Sequence, residues 1–237
     1  MATTIAITKD NLSSLAYSQQ EATARFLAGI PVFAGLRETE VEGLAASGWP
    51  YRSTRGQIIY CEGDVLRHLY IIESGSIKLI CNSDEGKELI VGLAGPGDCF
   101  GNMANSQPTG CFSQALEDSV LFMIPRQSLR RVTISNPAFA LALLEMSERR
   151  SIAVQATAAR LAFDTVPHRL AHLLLGISDK RYGILRFPVN QTEIANLIGS
   201  SRETVCSILS RLRRKGLISI DKGRIRILDR EGLGAVR

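Results

Sequence analysis

Val189-Asn190-Gln191-Thr192-Glu193-Ile194-Ala195-Asn196-Leu197-Ile198-Gly199-Ser200-Ser201-Arg202-Glu203-Thr204-Val205-Cys206-Ser207-Ile208-Leu209-Ser210-Arg211-Leu212 is the stretch that decides the fold. Asn190 followed three residues later by Glu193 is a capping box, in which each side chain satisfies the other's backbone N–H. Ile194, Leu197 and Ile198 then form an apolar stripe at helical spacing. Gly199 stands where the chain must turn sharply. Ser200 or Ser201 caps a second helix, with Glu203 placed to complete a second box. Val205, Ile208, Leu209 and Leu212 supply the buried face of that helix. Two short helices joined by a tight turn make a helix-turn-helix.

The side chains left outside carry the chemistry. Arg202, Glu203 and Ser207 lie on the exposed side of the second helix, where side chains reach base edges. Arginine donates two hydrogen bonds to guanine O6 and N7, and glutamate accepts one from cytosine N4. Gln191, Ser201, Thr204 and Arg211, with the helix-end N–H groups, are candidate phosphate contacts. Residues 217–220 and 224–228 alternate around Asp221-Lys222-Gly223 and read as a β-hairpin wing. Lys222 and Arg224 on that hairpin face either phosphate or plain solvent. Cys206 lies among the base-reading candidates. It is either a small packing residue or a thiol whose oxidation would add bulk and polarity beside DNA.

Charge supports the same partner. Residues 1–163 carry 14 basic and 16 acidic side chains, and residues 164–237 carry 14 and 7. The positive charge is therefore concentrated where the helix-turn-helix lies, and double-stranded DNA attracts such a surface through counterion release.

Upstream, Asn136-Pro137 is a helix start signal, and no Gly or Pro follows until beyond Phe163. Ala140, Leu144, Ser147, Ser151, Val154, Ala158 and Leu161 recur at steps of four and three, a heptad seam with small members. The seam meets either a second copy of the chain or the chain's own β-domain. Before it, short β-branched runs alternate with turn signals: 57–60, 69–72, 77–81, 89–93, 113–116 and 120–124. This spacing predicts an all-β sandwich or barrel. Residues 19–29 and 38–47 read as helices, and residues 1–18 as a loose arm. The predicted division is 1–18 arm, 19–135 β-roll, 136–163 dimerisation helix and 164–237 winged helix-turn-helix. The class is α+β.

No apolar run approaches the ~18 residues of a membrane span, and no secretory leader is evident, so a cytoplasmic protein is expected. The five cysteines, Cys61, Cys81, Cys99, Cys111 and Cys206, form no CxxC pair or zinc-ligand set. There is no nucleophile elbow, P-loop or HExxH motif, and no length remains for a catalytic domain. An enzyme is not expected. The competing readings are a non-specific DNA-binding protein and a ligand-binding signalling module that borrows the β-roll.

These motifs together resemble the CRP/FNR family, that of the cyclic-AMP receptor protein and the fumarate–nitrate reduction regulator. The resemblance runs from about Ile30 to Leu228. It is carried by Ile30-Pro31-Val32-Phe33-Ala34-Gly35-Leu36, Tyr60-Cys61-Glu62-Gly63-Asp64, Leu69-Tyr70-Ile71-Ile72-Glu73-Ser74-Gly75, Pro96-Gly97-Asp98-Cys99-Phe100-Gly101 and Ser201-Arg202-Glu203-Thr204-Val205. It implies a double-stranded β-helix (jelly-roll) sensor, a long dimerisation helix, a hinge near Phe163–Thr165 and a winged helix-turn-helix. It also implies a homodimer on an inverted repeat and contact with RNA polymerase. Ser207 stands where a second base-reading arginine is usual in the cyclic-AMP type.

The resemblance places an effector pocket at Phe100, Gly101, Asn102, Met103, Thr109, Gly110 and Cys111, with Val154 and Gln155 reaching in from the long helix. Cyclic-AMP binders carry a Glu where Asn102 stands and an Arg near Thr109-Gly110-Cys111, so cyclic AMP is not expected. An iron–sulfur cluster is not expected either, because residues 1–60 hold no cysteine and position 122 is Phe122. Haem lacks a histidine in the pocket segment. No metal or cofactor is predicted, and the effector, if one exists, stays open.

Overall fold

Two antiparallel four-stranded sheets, layered face to face, form the N-terminal unit of the chain, whose computed structural model describes residues 9–101 and 107–237. Its strands are β1 (Trp49–Ser53), β2 (Ile58–Tyr60), β3 (His68–Ser74), β4 (Ile77–Asn82), β5 (Glu88–Ala94), β6 (Cys99–Phe100), β7 (Phe112–Ala115) and β8 (Ser119–Pro125). One sheet has the order β1-β8-β3-β6 and the other β2-β7-β4-β5. Neighbours distant in sequence pair, as β1 does with β8, which is jelly-roll topology. Alternating side chains fill the space between the sheets: Tyr60, Tyr70, Ile72, Ile77, Phe100, Ala115 and Leu121 form one buried cluster.

Helices cover one side of the roll. They are α1 (Lys9–Ala28), α2 (Glu38–Ser47), α3 (Arg126–Ser135) and α4 (Pro137–Phe163), with a 3₁₀ turn at Pro31–Phe33. Leu27, Phe33, Leu44, Leu69, Ile71, Ile124 and Phe139 build the second core there. The expected loose arm over 1–18 is corrected from Lys9 onward, which is helical. From Lys9 to Ala28 there is no Gly or Pro to break a helix, while the absence of a regular apolar stripe hid it. The strand at Trp49 begins two residues before the expected change of texture, and β6, two residues long, is too short to show alternation.

α4 starts as expected: the Asn136 side chain accepts from the Phe139 N–H at 3.1 Å and Pro137 takes the first helical position. Its first turns belong to the roll, since Phe139 is fully buried and stacks on Phe33 with ring centres 5.7 Å apart. Ala142, Leu143 and Met146 continue that packing, and the Arg150 guanidinium donates to the Cys99 carbonyl of β6. In the expected seam, Ala140 and Leu161 are half-buried, while Leu144, Ser147, Ser151, Val154 and Ala158 are exposed.

The C-terminal unit comprises α5 (Val166–Ile177), α6 (Gln191–Ile198), α7 (Arg202–Arg214), β9 (Ile218–Asp221), β10 (Arg224–Ile227) and α8 (Arg230–Gly234). Leu170, Leu174, Ile194, Ile198, Val205, Leu209, Leu212, Ile218 and Ile225 close its core. Leu116 of the roll belongs to the same cluster, and Leu93 packs against it. The two units thus share buried surface.

Candidate nucleic-acid interface

The capping box forms as the spacing requires. Asn190 Oδ1 accepts from the N–H groups of Thr192 (2.9 Å) and Glu193 (3.0 Å), and Glu193 Oε2 accepts from the Asn190 N–H (2.8 Å). α6 ends at Gly199, whose φ of +59° is left-handed. A side chain there would also collide with Leu161, which lies 2.9 Å from where a Cβ would stand. The turn of the helix-turn-helix is therefore packed on the end of α4.

Ser201, not Ser200, caps α7: its backbone is extended and its hydroxyl accepts from the Thr204 N–H at 3.2 Å. This corrects the expected second box. With the cap at Ser201, Glu203 is the second helical residue and cannot reach back as a third would. Its carboxyl is held below the usual carboxylate range by its own backbone N–H, then by the Ser201 hydroxyl and by the charge of Arg202. It presents an acceptor to solvent at the start of the helix.

Val205, Ile208, Leu209 and Leu212 are buried, so α7 rolls its opposite side outward. Arg202, Glu203, Ser207, Thr204 and Arg211 are all exposed on it, as is the capping Ser201. Lys222 and Gly223 both have positive φ, at 45° and 78°, which makes the wing a tight two-residue hairpin. Lys222 and Arg224 are exposed at its tip. Arg202 and the wing meet across a cleft of about 360 Å³, lined by Asn190, Gln191, Thr192, Ile220 and Gly223. This junction was not evident from sequence spacing.

Three of the helix-end N–H groups and one of the expected side chains, Gln191, are already engaged within the chain. The N–H groups of Thr192 and Glu193 are taken by Asn190, and that of Thr204 by Ser201. Gln191 is half-buried and its Oε1 accepts from the Cys206 thiol at 2.7 Å. Cys206 thus turns toward α6 and not to the outer face with Arg202. Sequence reasoning passed over Arg213, Arg214 and Lys215, exposed cations at the end of α7. The charge run Arg211-Leu212-Arg213-Arg214-Lys215 was their signal, and it also complements the negative end of the helix dipole.

The expected effector segment lies in the roll. Phe100 is buried and stacks on Tyr70 with ring centres 5.1 Å apart, and Tyr60 lies 6.1 Å from Phe100. Gly101, at φ +105°, brings its backbone against the His68 carbonyl and the Tyr70 ring. The Thr109 hydroxyl donates to the Cys111 carbonyl at 2.8 Å; Gly110 is exposed. Asn102 and Met103 lie outside the described residues. Val154 and Gln155 are exposed on α4, and among the described residues neither bonds to the roll. Among the described residues, no three His, Cys, Asp or Glu side chains are grouped to hold a metal ion. No helix among them is long and apolar enough to cross a membrane.

The roll holds the helix-turn-helix directly. Lys78 Nζ of β4 lies 3.1 Å from Glu193 Oε1 of α6, with both side chains 11% exposed. Beside this ion pair, Asn196 Nδ2 donates to Glu88 Oε2 at 3.0 Å. Phe187 covers Gly95, with a ring carbon 3.3 Å from where a Cβ would stand. At the hinge, Arg160 Nη2 lies 2.9 Å from His172 Nε2, and Arg169 Nη1 donates to the Leu161 carbonyl at 3.2 Å.

Comparison with known proteins agrees with this architecture. Residues 52–136 match the cyclic nucleotide-binding domain family, and residues 168–236 the Crp-like helix-turn-helix domain family. The chain is 30% identical over 215 residues to the CRP-like cAMP-activated global transcriptional regulator of Mycobacterium tuberculosis, covering 87% of this chain and 96% of that relative. It is 30% identical over 202 residues to the cyclic AMP receptor protein of Thermus thermophilus, covering 84% and 93%. The structure of FixK2 from Bradyrhizobium japonicum superposes with a TM-score of 0.73 at 22% identity, covering 78% of this chain and 95% of that one, a likeness of fold. A roll of the cyclic nucleotide-binding type, joined through a long helix to a Crp-like winged helix-turn-helix along nearly the whole of two relatives, leaves one assignment: the chain belongs to the CRP/FNR family of helix-turn-helix transcription regulators.

Proposed function

We propose that this regulator binds double-stranded DNA as a homodimer on an inverted repeat, with Arg202, Glu203 and Ser207 reading base edges. The observation that carries the reading is the exposed face of α7, whose first turn presents a paired donor and acceptor beside a basic wing. Arg202 suits guanine and Glu203 suits the cytosine of a G·C pair. Ser201, Thr204, Arg211, Lys222 and Arg224 contact the phosphates, and Gln191 fixes the first helix while holding Cys206. The exposed stripe of α4, with Leu144 at 56% and Val154 at 57% exposure, supports a second copy as its cover. Contact with RNA polymerase follows from the family's mode of action.

Cyclic AMP is not the effector in this reading. The residues of the roll do not fit its phosphate: Thr109-Gly110-Cys111 offers no cation, and a buried phosphate without one is poorly compensated. Tyr60, Tyr70 and Phe100 instead stack through the interior. Calorimetric titration with cyclic AMP is expected to give no saturable heat; saturable binding would overturn this part.

The decisive experiment is selection of sites from a randomised duplex pool by the reduced protein without added ligand. One inverted repeat with G·C pairs in its half-sites is the expected result. Binding that ignores sequence and disappears at moderate salt would instead make the chain a non-specific DNA binder.

A further inference from the structure

Cys81 lies on β4, and Cys111 immediately precedes the neighbouring strand β7. β4 and β7 pair with Ile77 opposite Ala115, Lys78 opposite Gln114, Leu79 opposite Ser113 and Ile80 opposite Phe112. Continued one residue past the start of β7, that register sets Cys81, still within β4, opposite Cys111. The hydrogen-bond phase is also readable. The Leu116 N–H donates to the Ser76 carbonyl at 2.9 Å, whereas the Ala115 N–H turns away to Gln57 at 3.0 Å. Even-numbered residues of β4 therefore hold the hydrogen-bonded pairs, and the pair at 81 and 111 is a non-hydrogen-bonded one. In such pairs the Cα atoms approach to about 4.5 Å and the side chains are closest. A disulfide spans Cα separations of roughly 4.4–6.8 Å.

Alternation puts both thiols on the face that looks into the roll, with Ile77 and Ala115. Their surroundings agree. The Cys81 thiol donates to the Gly110 carbonyl at 3.4 Å, and Cys111 Sγ lies 3.7 Å from Thr109 Oγ1. Burial, and then the proximity of Cys111, push the Cys81 thiol up, which marks the two sulfurs as close neighbours while slowing attack by Cys81 itself. Both residues are only half-buried, so a small oxidant has access.

We propose that Cys81 and Cys111 form a thiol–disulfide site within the sensor roll, closed by low-molecular-weight disulfides. One protein thiolate attacks a sulfur of the oxidant RSSR and expels RS⁻, leaving a mixed disulfide. The second thiolate attacks the protein-side sulfur, expels the other RS⁻ and forms the internal S–S bond. Two cysteine thiols are oxidised, RSSR is reduced to two RSH, and the two thiol protons pass to the departing thiolates. β4 also carries Lys78, the partner of Glu193 on α6. A bond at Cys81 restrains the strand that holds the helix-turn-helix, so the oxidation state reaches DNA affinity. That last step rests on the proposed DNA-binding function.

The test uses the full chain in a Cys206→Ser background, which removes the thiol nearest the DNA face. The protein is incubated with oxidised glutathione, alkylated, and digested without reductant. Mass spectrometry is expected to find the Cys81 peptide linked to the Cys111 peptide. Cys81→Ser and Cys111→Ser, checked for cooperative melting, are expected to leave a glutathione adduct on the remaining partner. Adducts without the internal link, or a link from Cys81 to Cys61, would overturn the site. Affinity for the selected duplex is expected to differ between reduced and oxidised protein by about fivefold or more, and Cys81→Ser to abolish the difference. Equal affinities despite the linked peptide would overturn the coupling. Failure to select any duplex would count against the function and leave the peptide map to decide the site.

Discussion

Arg202 stands on the first turn of α7 and lines the cleft shared with the wing, so it is the side chain on which base preference should turn. Arg202→Ala is expected to cost about 1–3 kcal/mol at its G·C pair and to relax the preference there. Arg211→Ala should instead weaken binding to all sequences alike and reduce the salt slope by about 1. Fluorescence anisotropy on matched and mismatched duplexes across a salt series separates the two. The pairing of Asn190 with Glu193 and the left-handed Gly199 were legible in the sequence because both act within one turn of chain. The cap of α7 was not. Ser200 and Ser201 both suit the position, and the choice depends on how Gly199 releases the chain toward the end of α4.

Among the elements, α4 divides its length between two tasks. Its first turns are roll core at Phe139, and its later turns display Leu144, Ile152 and Val154 to solvent. On the proposed dimer, Leu144→Glu with Val154→Glu should bury like charges in the seam and give a monomer in sedimentation equilibrium, with helix content retained. Unchanged dimer mass would place the subunit contact elsewhere. The hinge after α4 carries a pH dependence. Burial lowers the His172 pKa below its ordinary 6.5, aided by the charge of Arg160. A histidine depressed in the folded state is fully stabilising while neutral, and that stability is lost as pH falls below about 6.5, where only the unfolded chain protonates readily. Thermal melting between pH 8 and pH 5 should show this loss, and His172→Gln should flatten it. Periodicity made α4 legible from end to end. It did not reveal α1, whose polar sequence has no stripe, nor β6, which is shorter than one alternation.

At the scale of the whole molecule, sensor and reader share an interface centred on Lys78 and Glu193. Glu193 holds two partners at once, the Asn190 N–H through Oε2 and Lys78 through Oε1. Lys78→Met leaves a carboxylate buried without its cation, and removal of one member of such a pair costs about 3–5 kcal/mol. The double variant Lys78→Met with Glu193→Gln should recover much of that loss, because the amide carries no charge. Urea unfolding of the wild type, both single variants and the double variant measures the coupling; a double-variant loss equal to the sum of the two single losses would show that the pair is not coupled.

The sequence by itself determined the identity of the parts. Capping pairs, a left-handed glycine, alternating strands and a heptad seam are local patterns, and each is written within a few residues of chain. It also determined the family, through short motifs in a shared order. Only the tertiary structure decided which side chains work together. Arg202 shares a cleft with the wing, Cys206 turns to Gln191, the Cys81 thiol reaches the Gly110 carbonyl, and Lys78 reaches Glu193 across 115 positions. These relations follow from how sheets stack and helices dock, and no local periodicity encodes a contact between residues so far apart in the chain.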